Sequence, residues 1–131
     1  MSEVRFSRTA LLVGSEAMAK LKNSRVVVIG LGGVGSYAVE ALARAGIGHF
    51  TLVDFDVVGE SNFNRQLHAL NHTLGKPKTE VMKKHIEDIN PAAEVITYPV
   101  FLDSTNREEI LKEQDFYLDA IDSLGPKCGL L

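Results

Sequence analysis

The stretch VVVIGLGGVGSYAVEALARAGIGHFTLVDFD, Val26 to Asp56, constrains this chain more than any other part of it. Val26–Ile29 is a short apolar, β-branched run. A glycine-rich turn follows, then a helix-like stretch, a second apolar run and an acid. That is the order of parts in a βαβ unit. Gly30, Gly32 and Gly35 form G-x-G-x-x-G directly after the first run. In such a unit the first glycine serves the tight turn, the second leaves the backbone open to a phosphate, and the third brings helix and strand together. The first turn of the helix would aim backbone N–H groups and its positive dipole end at an anion. Asp54 closes the second run, 19 residues beyond Gly35, where an acid can bond a ribose hydroxyl. The motif reads as a mononucleotide site. The competing reading is a glycine turn that only packs a helix.

Further strands and helices alternate along the chain. Strands are expected at Arg25–Ile29, Phe50–Val53, Glu94–Val100 and Phe116–Ala120. A helix over Gly33–Ala45 would bury Val34, Ala38, Ala41, Leu42 and Ala45, with Gly46 ending it. A second helix follows Pro77, with an apolar stripe of Val81, Met82, His85, Ile86 and Ile89 and with Pro91 past its end. Thr105-x-x-Glu108 reads as a capping box for a third. Residues 1–24 read as a polar arm carrying a short helix, Glu16 to Leu21. The loop Gly59 to Gly75 is long and polar, which suggests function. The expected fold class is α/β: a Rossmann-like three-layer αβα domain over residues 1–131, with a parallel sheet in the order 3-2-1-4. A doubly wound fold usually has a second half. Residues 1–131 therefore read as the N-terminal half of a larger fold, truncated at its C-terminal end and inactive in isolation.

Composition narrows the classes. No apolar run approaches a membrane span, and the start MSEVRFSRTALL has no signal-peptide pattern. A single cysteine, Cys128, excludes an internal disulfide and suits a reducing cytoplasm. The net charge of −3 leaves no whole-chain nucleic-acid footprint. His49, His68, His72 and His85 show no metal-ligand spacing with cysteine, and His85 reads as a core residue on an apolar face.

Other residues carry chemistry. Arg65, in the polar loop, can fork to phosphate oxygens. Lys78 opens a helix, where ammonium and dipole can act on one anion. Asn62 and Asn64 can donate to phosphate or orient the loop. Taken alone, Arg65 and Lys78 would also suit solvated charges. Asp56 either assists Asp54 or caps the loop, and Asp122 could cap a following helix. The role of Asp119 stays open.

The strings GLGGVG, LVDFD, SNFNRQ, GKPK and DAIDS, in this order and spacing, resemble the ThiF/MoeB/HesA superfamily, the relatives of ubiquitin-activating enzymes. The resemblance spans almost the whole chain. RFSRTALLVG, NRQLHAL and DAIDSLGPK look like its bacterial tRNA threonylcarbamoyladenosine dehydratase branch. The resemblance implies ATP-dependent adenylation of a carboxylate. It implies that Gly30, Gly32, Gly33, Gly35, Asp54, Asp56, Asn62, Asn64, Arg65, Lys78 and Asp122 contact the nucleotide, with Asp122 on Mg²⁺. It implies a catalytic set of Arg8, Arg65, Lys78 and Asp122, with Arg8 reaching the partner's site in a homodimer. The implied substrate is tRNA, which would need basic surface such as Lys76, Lys78, Lys83 and Lys84. A ubiquitin-like sulfur-carrier protein is the alternative partner. A NAD-binding module, or an inactive nucleotide-binding module, is a second alternative. Cys128 is expected to be a small apolar residue and not a nucleophile.

Overall fold

The structure is a computed structural model and describes residues 5–121. Four five- or four-residue strands form one parallel sheet: β1 (Arg25–Ile29), β2 (His49–Val53), β3 (Glu94–Tyr98) and β4 (Phe116–Asp119). Their order across the sheet is β3-β2-β1-β4, as expected. β1 pairs with β2 from Arg25 opposite His49 to Ile29 opposite Val53. It pairs on its other side with β4 from Val26 opposite Phe116 to Ile29 opposite Asp119.

The central strands have no polar face because helices cover both sides of the sheet. Val26, Val28, Phe50 and Leu52 point one way, into a core with Leu31, Val39, Ala43, Met82 and Ile86. That side is covered by α2 (Gly33–Ala45) and α3 (Lys78–Ile89), which follow the N-terminal helix α1 (Ser7–Asn23) in the chain. Val27, Ile29 and Val53 point the other way, onto Ile110 of the five-residue helix α4 (Arg107–Leu111). Each fully buried Val, Leu or Ile contributes roughly 1.5–3 kcal/mol. Among the described residues no helix is long and apolar enough to cross a membrane.

Three local expectations are corrected. α1 extends well before Glu16 and is interrupted at Gly14, whose φ is 86°. Its first half was not legible because Leu11 and Leu12 are 86% and 88% exposed and present no buried stripe. α2 has the expected ends, but its buried residues are Gly35, Ser36, Val39 and Ala43, and of the expected stripe Leu42 packs partly buried against the core. Val34 is 73% exposed. The helix seats its small residues on the sheet, and an ideal Cβ at Gly35 would lie 1.8 Å from the Gly30 carbonyl oxygen. Thr105 does not cap α4. The Asp103 carboxylate accepts from the Thr105 hydroxyl and from the backbone N–H groups of Thr105 and Asn106. These bonds hold Asp103 below the usual carboxylate range, the Thr105 hydroxyl contributing most.

Candidate functional site

The carboxyl ends of all four strands converge on a cleft of about 270 Å³. β1 delivers Gly30 and Gly32, and β2 delivers Asp54, Phe55 and Asp56. The segment after β3 adds Val100, Phe101 and Leu102, and the end of β4 adds Ala120 and Ile121. Ligands of open parallel sheets sit at such an end, where the strand order reverses. Here the reversal lies between β1 and β4. Gly30 takes φ 95°, and a Cβ there would come within 2.9 Å of the Ala120 carbonyl group. Only glycine lets the turn pass so close to the β4 end.

The polar loop folds into two short 3₁₀ turns, Glu60–Asn62 and Asn71–Thr73. It is pinned where the Val58 N–H donates to the Lys76 carbonyl (2.9 Å) and the Gly75 N–H to the Val58 carbonyl (2.9 Å). Buried Asn62 accepts the Gly59 N–H through Oδ1 (2.8 Å) and shapes the first turn. Arg65 is an exposed residue of this loop and lines the cleft. Its Nη1 donates to the Ser61 carbonyl (2.9 Å) and to Asn64 Oδ1 (3.0 Å), so the loop holds the guanidinium in place.

Asp54 braces the glycine turn. One carboxylate oxygen accepts the Leu31 N–H (2.7 Å) and the other accepts the Asp56 N–H (2.7 Å). Lys78 is the first residue of α3 and only 5% exposed, yet its side chain lines the cleft. The carboxylate facing it, Asp56 Oδ2, stands 3.9 Å from Nζ, outside hydrogen-bond range. A buried ammonium so loosely compensated favours an additional anion. Gln66 also lines the cleft, and its buried Oε1 has no partner among the described residues. Phe55 and Phe101 stack beside it, ring centroids 4.0 Å apart, as a half-exposed aromatic wall.

Of the residues singled out in the sequence, Gly30, Gly32, Asp54, Asp56, Asn62, Arg65 and Lys78 line the cleft. Gly33, Gly35 and Asn64 do not. Gly35 lies against the back of the turn, and Asn64 holds Arg65. Arg8 is exposed on α1. Nearby Arg5 donates to the carbonyl of Ile89 (3.1 Å), the last residue of α3, at the opposite end of that helix from Lys78 and the cleft. Asp122 and Cys128 lie outside the described residues. Asp119 accepts the Ile121 N–H (3.1 Å), which shapes the exit from β4. Lys76, Lys83 and Lys84 line a separate groove along α3, but Glu80, Glu87 and Asp88 share it. Lys78 faces the cleft instead. Gln66 and the two phenylalanines were not singled out. Gln66 sits inside SNFNRQ, but Phe101 has no motif to mark it.

The histidines are also redistributed. His85 is not a core residue: at 34% side-chain exposure its Nε2 lies 3.1 Å from Glu40 Oε1, which also bonds Arg44. The buried histidine is His68, 3% exposed, with Nε2 2.6 Å from the Leu31 carbonyl oxygen. Burial pushes its pKa below the ordinary 6.5, opposed by the Leu31 carbonyl, aided by Lys78 and opposed by Asp54. The unfolded chain therefore binds the His68 proton more readily than the fold does. This contribution to stability is complete above about pH 6.5 and is lost as the pH falls through the depressed value. Urea midpoints should drop as the pH falls below about 6.5, and less steeply in His68→Gln. Identical slopes in the two proteins would refute the assignment. Among the described residues no cluster of three or more His, Cys, Asp or Glu is placed to hold a metal.

A model of the ThiF family matches residues 6–128. The chain belongs to the ThiF family. It is 48% identical over 127 residues to the tRNA threonylcarbamoyladenosine dehydratase of Bacillus subtilis (strain 168), covering 96% of this chain and 50% of that protein. It is 43% identical over 110 residues to the adenylyltransferase and sulfurtransferase UBA4 of Saccharomyces cerevisiae (strain YJM789), covering 84% of this chain and 25% of that one. Its fold matches the crystal structure of E. coli TcdA, the tRNA N6-threonylcarbamoyladenosine dehydratase, in complex with ATP. That match has a TM-score of 0.94 and 43% identity, over 98% of this chain and 53% of the other. The chain spans about half the length of the dehydratases it matches. This ThiF-family segment thus carries its glycine turn, its cationic loop and its buried lysine at the carboxyl end of the sheet.

Proposed function

We propose that this chain forms the nucleotide site of an ATP-dependent enzyme that adenylates a carboxylate, and that the enzyme is a tRNA threonylcarbamoyladenosine dehydratase. The observation that carries the chemistry is Lys78: an ammonium 5% exposed, beside a glycine turn, with its carboxylate 3.9 Å away. A triphosphate supplies the missing negative charge. The unpartnered Gln66 Oε1 and the Phe55–Phe101 wall suit the sugar and base of the same ligand. Nearly half-identity to a dehydratase over almost the whole chain supports the tRNA substrate.

In this reading a substrate carboxylate oxygen bonds the α-phosphorus of ATP, and the bond to pyrophosphate breaks. An internal nucleophile then attacks the activated acyl carbon, AMP leaves and a ring closes. Arg65 and Lys78 stabilise charge on the phosphates, and the turn fixes their position. Asp54 holds the turn and offers remaining lone pairs to the ribose. Asp56 and Asn62 line the phosphate side. Mg²⁺ would add charge neutralisation at the reacting phosphates. The described part of the cleft supplies only Asp54 and Asp56 as carboxylates. That suits an ion carried mainly by phosphate and water oxygens, with Asp122 as its proposed protein ligand. Arg8 is exposed on α1 and does not line the cleft of its own chain, which favours a role in a partner's site within a homodimer. A cytoplasmic location fits the single cysteine.

The intact protein should bind ATP with Mg²⁺ more tightly than NAD, because Arg65 and Lys78 add contacts for which a dinucleotide has no third phosphate. Titration calorimetry measures both, and equal or tighter NAD binding would sink the adenylation reading. Pyrophosphate exchange in the presence of modified tRNA, compared with a ubiquitin-like carrier, separates the two partners. Exchange driven by the carrier alone would favour the reading that the likeness to the yeast adenylyltransferase supports.

A further inference from the structure

We propose that His68 is a positioning residue that turns the Gly32 N–H into the cleft by holding the Leu31 carbonyl. The inference rests on the ATP reading above and assigns a role to a residue outside the cleft lining. His68 Nε2 lies 2.6 Å from the Leu31 carbonyl oxygen. A carbonyl only accepts, so Nε2 carries the proton. His68 Nδ1 is buried and has no partner among the described residues, which suits a bare ring nitrogen and not a second N–H. The ring is thus a neutral donor with one task. Its own backbone is fixed, because the Thr73 hydroxyl donates to the His68 carbonyl (2.6 Å). The preceding Leu67 N–H donates to Ser36 Oγ on α2 (3.2 Å).

Leu31 is fully buried and gripped on both sides. Its N–H donates to Asp54 Oδ2 at 2.7 Å, and its carbonyl accepts from His68. The next peptide is trans, so the Gly32 N–H points opposite to the Leu31 carbonyl. The carbonyl is drawn towards a buried ring, and Gly32 lines the cleft. The N–H is therefore presented to the side where phosphate oxygens would lie. Without the imidazole donor the buried carbonyl has no partner there, and the peptide gains a reason to rotate.

The test uses His68→Leu and His68→Gln in the intact protein, with ATP and adenosine as ligands. His68→Leu should lose about tenfold in ATP affinity, as expected for one charge-assisted hydrogen bond. Its adenosine affinity, read by NMR titration, should stay within about twofold of the unchanged protein, because adenosine carries no phosphate. His68→Gln, which keeps a donor, should recover most of the ATP affinity. Full ATP affinity in His68→Leu, or equal losses for both ligands, would overturn the positioning role. Imidazole ¹⁵N NMR of the unchanged protein gives a check that needs no variant: an Nδ1–H tautomer, or imidazolium at neutral pH, would also overturn it. Failure of the unchanged protein to bind ATP is a separate result, and it removes the adenylation reading itself.

Discussion

Replacing Arg65 by alanine should slow pyrophosphate exchange by about 10²–10³ and leave the thermal midpoint nearly unchanged. The two halves of this expectation have separate causes. Arg65 is exposed, and its Nη1 bonds only its own loop, at Ser61 and Asn64. Removing it costs little folding energy, since solvated side chains generally change stability by under about 0.5 kcal/mol. Yet the same two bonds hold the guanidinium beside the cleft before any phosphate arrives. Preorganised charge of this kind acts on the transition state without reorganisation at the moment of reaction. Exchange at the unchanged rate in a folded variant would make Arg65 an ordinary solvated charge. A rate loss matched by a large drop in midpoint would make it structural instead.

Gly35→Ala should give the reverse pattern, a large loss of stability at a residue that does not line the cleft. Alanine is favoured over glycine inside a helix by about 1 kcal/mol, so an unconstrained site would gain. Here the new Cβ would lie 1.8 Å from the Gly30 carbonyl oxygen and 3.2 Å from the Ala120 Cβ. The nearest obstacle is backbone, so α2 must lift from the turn. Overpacking of this kind costs about 1–3 kcal/mol or more and exceeds the propensity gain. Gly33→Ala is the control, because a Cβ there meets nothing nearer than the Arg65 carbonyl oxygen at 3.6 Å. Urea unfolding of the two variants should show a marked loss for the first and little change or a gain for the second. Equal midpoints would mean that the close approach is not what requires glycine at residue 35.

The two central strands were legible because they are buried on both faces and so read as short, nearly continuous apolar runs, β-branched throughout the apolar part of β1. The cleft was legible where covalent order alone places a residue at a strand end or a helix start, as with Gly30 and Asp54 or Gly32 and Lys78. It was not legible where the approach depends on how a crossover packs. Phe101 reaches the cleft only because the chain leaving β3 folds back over Phe55. The buried side of α2 also escaped periodicity. The largest apolar residue of its first turn, Val34, faces out, while Gly35 and Ser36 face in. A moment of hydrophobicity weights large side chains, and here closeness of backbone decides. His68 was missed for a related reason. It sits in an irregular loop where no repeat marks burial, whereas His85 sits in a helical stripe that promised burial and instead lies partly exposed within hydrogen-bond reach of Glu40.

The sheet is shielded unevenly, and this bears on which amides exchange first with deuterium. The last four residues of β1 and of β2 are buried, with partners on both edges. β4 lies at the end of the sheet with three of its four residues exposed, and among the described residues only five-residue α4 contributes a buried helix residue to the core on that side. Local opening follows buried apolar contact, so β4 should open well below the global unfolding energy, while β1 opens only with the whole domain. The Ala120 N–H, bonded to the Ile29 carbonyl at 2.8 Å, belongs to that easily opened margin. It also forms part of the cleft wall. A nucleotide seated against that wall would slow exchange there and leave the already protected β1 amides little changed.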